Sequence, residues 1–218
     1  MTKITTKKEK PLKIGIMGGT FNPIHFGHLL IAEQLRELIK ADKVLFIPCS
    51  IPPHKTKKEL TEKKHRFHMV ELAVENNPYF EACDIEIKQD KKSYTIDTIK
   101  ELTKIYKSSS FYFFIGEDNL LELSTWKEIK KLMSLCSLVI ARRFLSPQEL
   151  NYLFKEKNKF FDDNTVNKLT NSIVDTTVID ISSSEIRQKI VNNKSIKYLV
   201  PDKIAEYIKK NRLYRGNQ

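Results

Sequence analysis

The sequence predicts an α/β fold built on a doubly wound parallel sheet with helices on both faces. Three observations predict it. Short apolar runs alternate along the chain with stretches of helical apolar spacing. The run at 111–115, Phe-Tyr-Phe-Phe-Ile, is apolar or aromatic throughout, as a strand buried on both faces requires. Glycine or proline ends the early strands, Gly18-Gly19 after the first and Pro48 after the second.

Residues 12–17 form the first strand, and Gly18-Gly19 breaks it. From 26 to 39, Leu29, Ile31, Ala32, Leu35, Leu38 and Ile39 recur at helical spacing. A buried strand follows at 44–47, then a loop at 51–58 that holds Pro52 and Pro53. The stretch 63–74 reads as a helix and the alternating 80–87 as a strand. Residues 94–105 read as a helix capped by Ser93 or Thr95. After the strand at 111–115 come a strand at 135–141 and a helix at 147–154 with Pro147 in its first turn. A last strand at 177–181 precedes helices at 183–191 and 201–210. This is a Rossmann-like order, and such sheets bind ligands beyond the carboxyl ends of their strands.

A chain of 218 residues suits one domain at 12–218, with a C-terminal helical part and a basic N-terminal tail at 1–11. Hydrophobic residues at 40% and charged residues at 30% exclude a disordered or membrane-embedded chain. No apolar run approaches the roughly 18 residues of a membrane span, and the basic tail leads into no signal-peptide core. No membrane partner is expected, and the expected location is cytoplasmic. Cys49, Cys83 and Cys136 match no metal-ligand spacing and read as reduced thiols. The net charge of +11 admits a nucleic-acid partner or an anionic small substrate. The lysines are spread along the chain without interleaved aromatics, so no nucleic-acid partner is expected.

The turn after the first strand carries the chemistry: Gly18-Gly19-Thr20-Phe21-Asn22-Pro23-Ile24-His25-Phe26-Gly27-His28. Two glycines let a ligand approach the backbone. His25 and His28 are three apart across a helix start, where free N–H groups and the dipole favour anions. Two imidazoles there can donate to a polyphosphate. Helix capping is the plainer reading of such histidines; a zinc site would need further ligands nearby. The Walker A pattern is missing. A second segment, Ile181-Ser182-Ser183-Ser184-Glu185-Ile186-Arg187, places hydroxyls before a helix and Arg187 one turn in.

These two segments resemble the H-x-G-H and I-S-S-T-x-I-R signatures of the nucleotidyltransferase superfamily, with Ser184 in place of the threonine. The fold implied is the nucleotidyltransferase type of Rossmann-like sheet. Nearly the whole chain is similar to the bacterial nicotinate-nucleotide adenylyltransferase family. The similarity runs through Gly18 to His25, Pro52-Pro53-His54-Lys55, Arg66 to Met69 with Ala73, and Ser93-Tyr94-Thr95 with Thr98. It continues through Gly116-Glu117-Asp118 with Leu121 and Trp126, to Tyr198 through Pro201 and on to Leu213-Tyr214. Arg142-Arg143-Phe144-Leu145 departs from the family's Arg-Arg-Pro-Gly.

The resemblance implies an adenylyltransferase that joins ATP and nicotinate mononucleotide into deamido-NAD and pyrophosphate. It implies that His25, His28 and Arg187 act on the phosphates. ATP would be bound by Gly18, Gly19, Thr20, Phe21, His54, Lys55, Gly116, Asp118, Ser182 and Ser183. Nicotinate mononucleotide would be bound by Tyr94, Thr95, Trp126 and Arg142. Mg2+ would be carried with ATP, with no tightly bound cofactor and no protein metal site. The nearest alternatives are the same chemistry on nicotinamide mononucleotide or another small phosphate acceptor. A more distant one is a non-enzymatic nucleotide- or RNA-binding module. The oligomeric state is left open.

Overall fold

The computed structural model describes residues 11–52, 60–142, 144–157 and 159–215. Six parallel strands are described: β1 (Lys13–Gly19), β2 (Lys43–Pro48), β3 (Phe80–Ala82), β4 (Ser110–Gly116), β5 (Ser137–Arg142) and β6 (Ile173–Asp175). They lie in the order β3-β2-β1-β4-β5-β6. The order reverses between β1 and β4, so a crevice opens at the carboxyl ends of those two strands. Gly18 of β1 stands opposite Ile47 of β2, and Ile16 opposite Phe113 of β4.

Nine α-helices are described, and side-chain alternation on the strands decides which face each covers. On one face Ile14, Ile16, Leu45, Ile47, Phe113, Ile115, Leu138 and Ile140 form a core. It is covered by α3 (Thr95–Ile105), α4 (Glu117–Leu121), α5 (Ile129–Leu135), α6 (Pro147–Lys157) and α7 (Asp163–Thr170). On the other face Met17, Val44, Phe46, Phe114, Val139 and Ala141 pack beneath α1 (Phe26–Ile39), α2 (Lys63–Val74), α8 (Ser183–Val191) and α9 (Asp202–Lys210). Each large apolar side chain buried here stabilises the fold by about 1.5–3 kcal/mol. No helix among the described residues is long and apolar enough to cross a membrane. The three cysteines stand as free thiols.

The observed sheet differs from the expected one at its edges. The strand expected at 80–87 ends at Ala82, because β3 pairs with β2 only at Val44, Leu45 and Phe46. Beyond it the chain turns, with Lys88 N–H donating to Asp84 O at 3.1 Å, and Ile85 packs on the core. The strand expected at 177–181 is not formed. The N–H of Thr177 donates to the side chain of Gln34 at 3.0 Å, and Ile181 N–H turns back to Ile179 O, so these amides never reach the sheet. The last strand is β6 instead. Leu135 closes α5 and does not open β5. Tyr94, not Ser93 or Thr95, is the N-cap of α3, and its side chain makes no cap. The hydroxyl of Ser93 accepts from Ser50 N–H at 2.9 Å.

Candidate active site

A cavity of about 1130 Å³ opens at the carboxyl ends of β1 and β4. Four chain turns build most of its wall. The first is the end of β1. A Cβ on Gly18 would stand 3.1 Å from the Phe113 ring, a tight contact that glycine avoids where the backbone lines the cavity. Gly19 and Thr20 continue the wall, and His25 and His28 complete it at the start of α1.

The two histidines are locked against each other. Their ring centroids lie 3.7 Å apart. The backbone N–H of His25 donates to Nδ1 of His28 at 3.3 Å, and the side chain of His25 accepts from the N–H of His28 in return. This is a capping box made of histidines. Gly27 leaves room between them, since a Cβ there would lie 3.1 Å from Nδ1 of His25 and press on its ring. The edge of Phe21 meets His28 at 5.1 Å between centroids.

The second turn is the start of α8. Ser182 caps it, accepting from Glu185 N–H at 3.1 Å. Ser183 donates to Pro23 O at 2.8 Å and fastens α8 to the first turn. Both serines line the cavity. Arg187 is not part of the cavity wall. Its Nη1 donates to Asn22 O at 2.8 Å and its Nη2 to Ser184 Oγ at 3.1 Å, so it stands against the histidine turn.

The third turn is the start of α3, where Tyr94 and Thr95 line the cavity. The first amides of a helix have no acceptor within it and point outward. Lys127 adds positive charge here: its Nζ lies 4.6 Å from the Tyr94 ring centroid and 3.0 Å from Asp97 Oδ2. The fourth turn follows β4. Gly116 and Asp118 line the cavity, and the Asp118 carboxylate folds back so closely that a Cβ on Gly116 would meet it at 2.4 Å. Trp126 is half-buried in the same wall, edge-on to Phe113 at 6.0 Å.

Arg66 lies 1% exposed below this site. It donates to Thr20 O at 2.7 Å, Ser50 O at 2.9 Å and Thr61 O at 3.0 Å. Burial holds its guanidinium below its ordinary pKa, and the Cys49 thiol and Tyr214 phenol oppose that shift. Three carbonyls thus satisfy a cation that water does not reach.

A family model for cytidylyltransferase-like proteins matches residues 16–189. A probable nicotinate-nucleotide adenylyltransferase of Thermoanaerobacter sp. (strain X514) is 42% identical over 214 residues, covering 96% of this chain and 98% of its own. The protein of that name from Clostridium novyi (strain NT) is 40% identical over 203 residues, covering 93% of this chain and 99% of its own.

The chain belongs to the nicotinate-nucleotide adenylyltransferase family, within the cytidylyltransferase-like group.

The fold agrees. Plasmodium falciparum nicotinic acid mononucleotide adenylyltransferase complexed with NaAD superposes with a TM-score of 0.71 at 23% identity, covering 94% of this chain and 98% of that one. A nicotinate-nucleotide adenylyltransferase fold therefore gathers twelve of the residues singled out in the sequence around one cavity: Gly18, Gly19, Thr20, His25, His28, Tyr94, Thr95, Gly116, Asp118, Trp126, Ser182 and Ser183.

Three others lie outside the wall: Arg187, held against the histidine turn, and Phe21 and Arg142. Phe21 is 1% exposed and packs under Gly19, supporting the turn from below. Arg142 is drawn away by an ion pair with Asp175 on β6 and by Leu145 O at 3.1 Å. His54 and Lys55 fall outside the described residues. The 142–145 segment that departs from the family pattern is held by Glu117, which accepts from Phe144 N–H at 2.8 Å and Leu145 N–H at 3.4 Å. Sequence reasoning missed Glu86, Cys49, Lys92 and Lys127 in the wall. For Glu86 the sequence offers no signal: an acid between Ile85 and Ile87 is what the solvent face of an alternating strand shows.

Proposed function

We propose that this protein transfers the adenylyl group of MgATP to nicotinate mononucleotide, giving deamido-NAD and pyrophosphate. The observation that carries the reading is the convergence of the histidine turn, the α8 cap and the α3 start on one cavity. An oxygen of the acceptor phosphate attacks the α-phosphorus of ATP in line, the bond to the β-phosphate oxygen breaks, and pyrophosphate leaves. No residue forms a covalent intermediate. Catalysis comes from positioning and from stabilising the charge that develops on the phosphates.

His28 accepts at Nδ1 from the His25 backbone, so its neutral ring carries the proton on Nε2 and donates it to a phosphate oxygen. His25 and the first amides of α1 bind the same anion. Ser182, Ser183 and Arg187 hold the leaving pyrophosphate, together with His54 and Lys55. Gly116 and Asp118 receive the ATP ribose, the carboxylate accepting from its hydroxyls. Trp126 stacks on the pyridine ring, and the amides at Tyr94 and Thr95 receive the nicotinate carboxylate. Magnesium enters as part of the nucleotide substrate. Residues 12–218 act as one catalytic unit, in the cytoplasm.

Pyrophosphate release from MgATP, measured in parallel with nicotinate and nicotinamide mononucleotides, tests the reading. A strong preference for the nicotinate form is expected. Equal use of both would keep the chemistry and remove the carboxylate site at α3; use of neither would overturn the assignment.

A further inference from the structure

We propose that Glu86 is a positioning residue of the acceptor subsite, tying the first turn of α3 to the segment that leaves β2 and so setting where the amides at Tyr94 and Thr95 stand. The proposal rests on the acceptor reading given above.

The turn after β3 carries Glu86 into the cavity wall while Ile85 goes to the core. Oε1 of Glu86 accepts from Thr98 Oγ1 at 2.5 Å. The Ser93 hydroxyl is a second hydrogen-bond partner. Ser93 in turn accepts from Ser50 N–H at 2.9 Å, and Ile51 bridges to Lys92 in the parallel sense. One carboxyl therefore holds the residue just before Tyr94 and a residue one turn after it. Thr98 also reaches back to Tyr94 O at 3.4 Å, which closes the cluster around the N-cap.

Glu86 also acts on the buried Arg66, each charge favouring the charged form of the other. Burial pushes its carboxyl up, and the hydrogen bonds from Thr98 and Ser93 and the charge of Arg66 oppose this. An acid enclosed beside a site for an anionic acceptor is disfavoured by desolvation and by repulsion. Its hydrogen bonds offset that cost and, in doing so, fix a helix start whose own cap residue makes no side-chain cap. The hydrogen bonds, not the charge, are what the subsite uses, so an isosteric amide serves in its place.

Steady-state kinetics with MgATP and nicotinate mononucleotide varied in turn, on wild type, Glu86→Ala, Glu86→Gln and Thr98→Val, test this. Glu86→Ala is expected to raise KM for nicotinate mononucleotide about tenfold, without a matching change in kcat or in KM for ATP. Glu86→Gln restores most of it. Thr98→Val raises the same KM, and the Glu86→Ala/Thr98→Val double variant is no worse than the poorer single. KM values for both substrates rising together, or Glu86→Gln as damaged as Glu86→Ala, would overturn the role. If Glu86→Ala does not fold, Thr98→Val decides, since it removes the donor and keeps the carboxyl. A wild type that ignores nicotinate mononucleotide would sink the acceptor reading itself. A wild type that uses it, with KM unmoved by Glu86→Ala and Thr98→Val, would sink only the role of Glu86.

Discussion

Nδ1 of His28 accepts the His25 N–H and so caps α1, and in the proposed mechanism its Nε2 donates a hydrogen bond to the phosphates. Replacing His28 by Ala removes a transition-state donor and a minor cap. The expected result is a fall in kcat of about 10²–10³-fold with a melting temperature close to wild type. Near-normal turnover would remove His28 from the mechanism. The place of the two histidines and their glycines in the cavity wall was legible in the sequence because it depends on spacing within one turn. Arg66 was not legible as a site residue. It follows Lys63, Lys64 and His65 in the first turn of a helix, where an arginine ordinarily faces water, and only the fold shows three carbonyls converging on it. Arg142 shows the reverse: its residue type and place suited a ligand contact, and Asp175, thirty-three residues away in sequence, takes it instead.

At the scale of elements, β1, β2, β4 and β5 read clearly because both of their faces are buried, which makes them continuous apolar runs. Of the three-residue edge strands, β3 was read by alternation but carried too far, to 87, and β6 is too short for alternation to show. Helix α7 buries only Val166 and Leu169 and is otherwise polar, so apolar spacing did not reveal it. Two glycines separate the requirements of a strand from those of a site. A Cβ on Gly15 would lie 2.6 Å from the Phe114 ring and 3.1 Å from Val44, inside a packed core. Gly15→Ala is expected to cost about 1–3 kcal/mol in urea unfolding and to leave KM for ATP unchanged. Gly116→Ala meets only the end of the Asp118 side chain, at 2.4 Å. Stability should change by no more than about 0.5 kcal/mol, while KM for ATP rises as the carboxylate is pushed from its place. Unchanged ATP affinity in Gly116→Ala would argue that Asp118 does not hold the ribose.

Across the whole molecule, the chain's last part secures the histidine turn near its beginning. Phe26 N–H donates to Leu199 O at 3.0 Å, Ser183 to Pro23 O, and Arg187 to Asn22 O. Tyr214 adds a tie across 192 residues, its hydroxyl donating to Asn22 Oδ1 at 3.0 Å. Strand order and ties of this length leave no local trace in a sequence; the resemblance of Leu213-Tyr214 to the family pattern marked the place without its reason. The phenol is turned inward, and burial pushes it up to about 12. An unfolded tyrosine titrates near about 10. Between those values the folded state holds a proton that the unfolded state has lost, so the contribution of Tyr214 is complete below about pH 10 and declines as pH rises towards 12. Tyr214→Phe removes the hydrogen bond and the titration together. At neutral pH the variant should be less stable by about 1 kcal/mol, with KM for ATP raised because Asn22 also orients Arg187. The stability difference between wild type and variant, followed by urea unfolding, should shrink through the alkaline window. A difference that stays constant there would mean that the Tyr214 hydroxyl is not enclosed against Asn22, and the tie between the chain's end and the histidine turn would have to be abandoned.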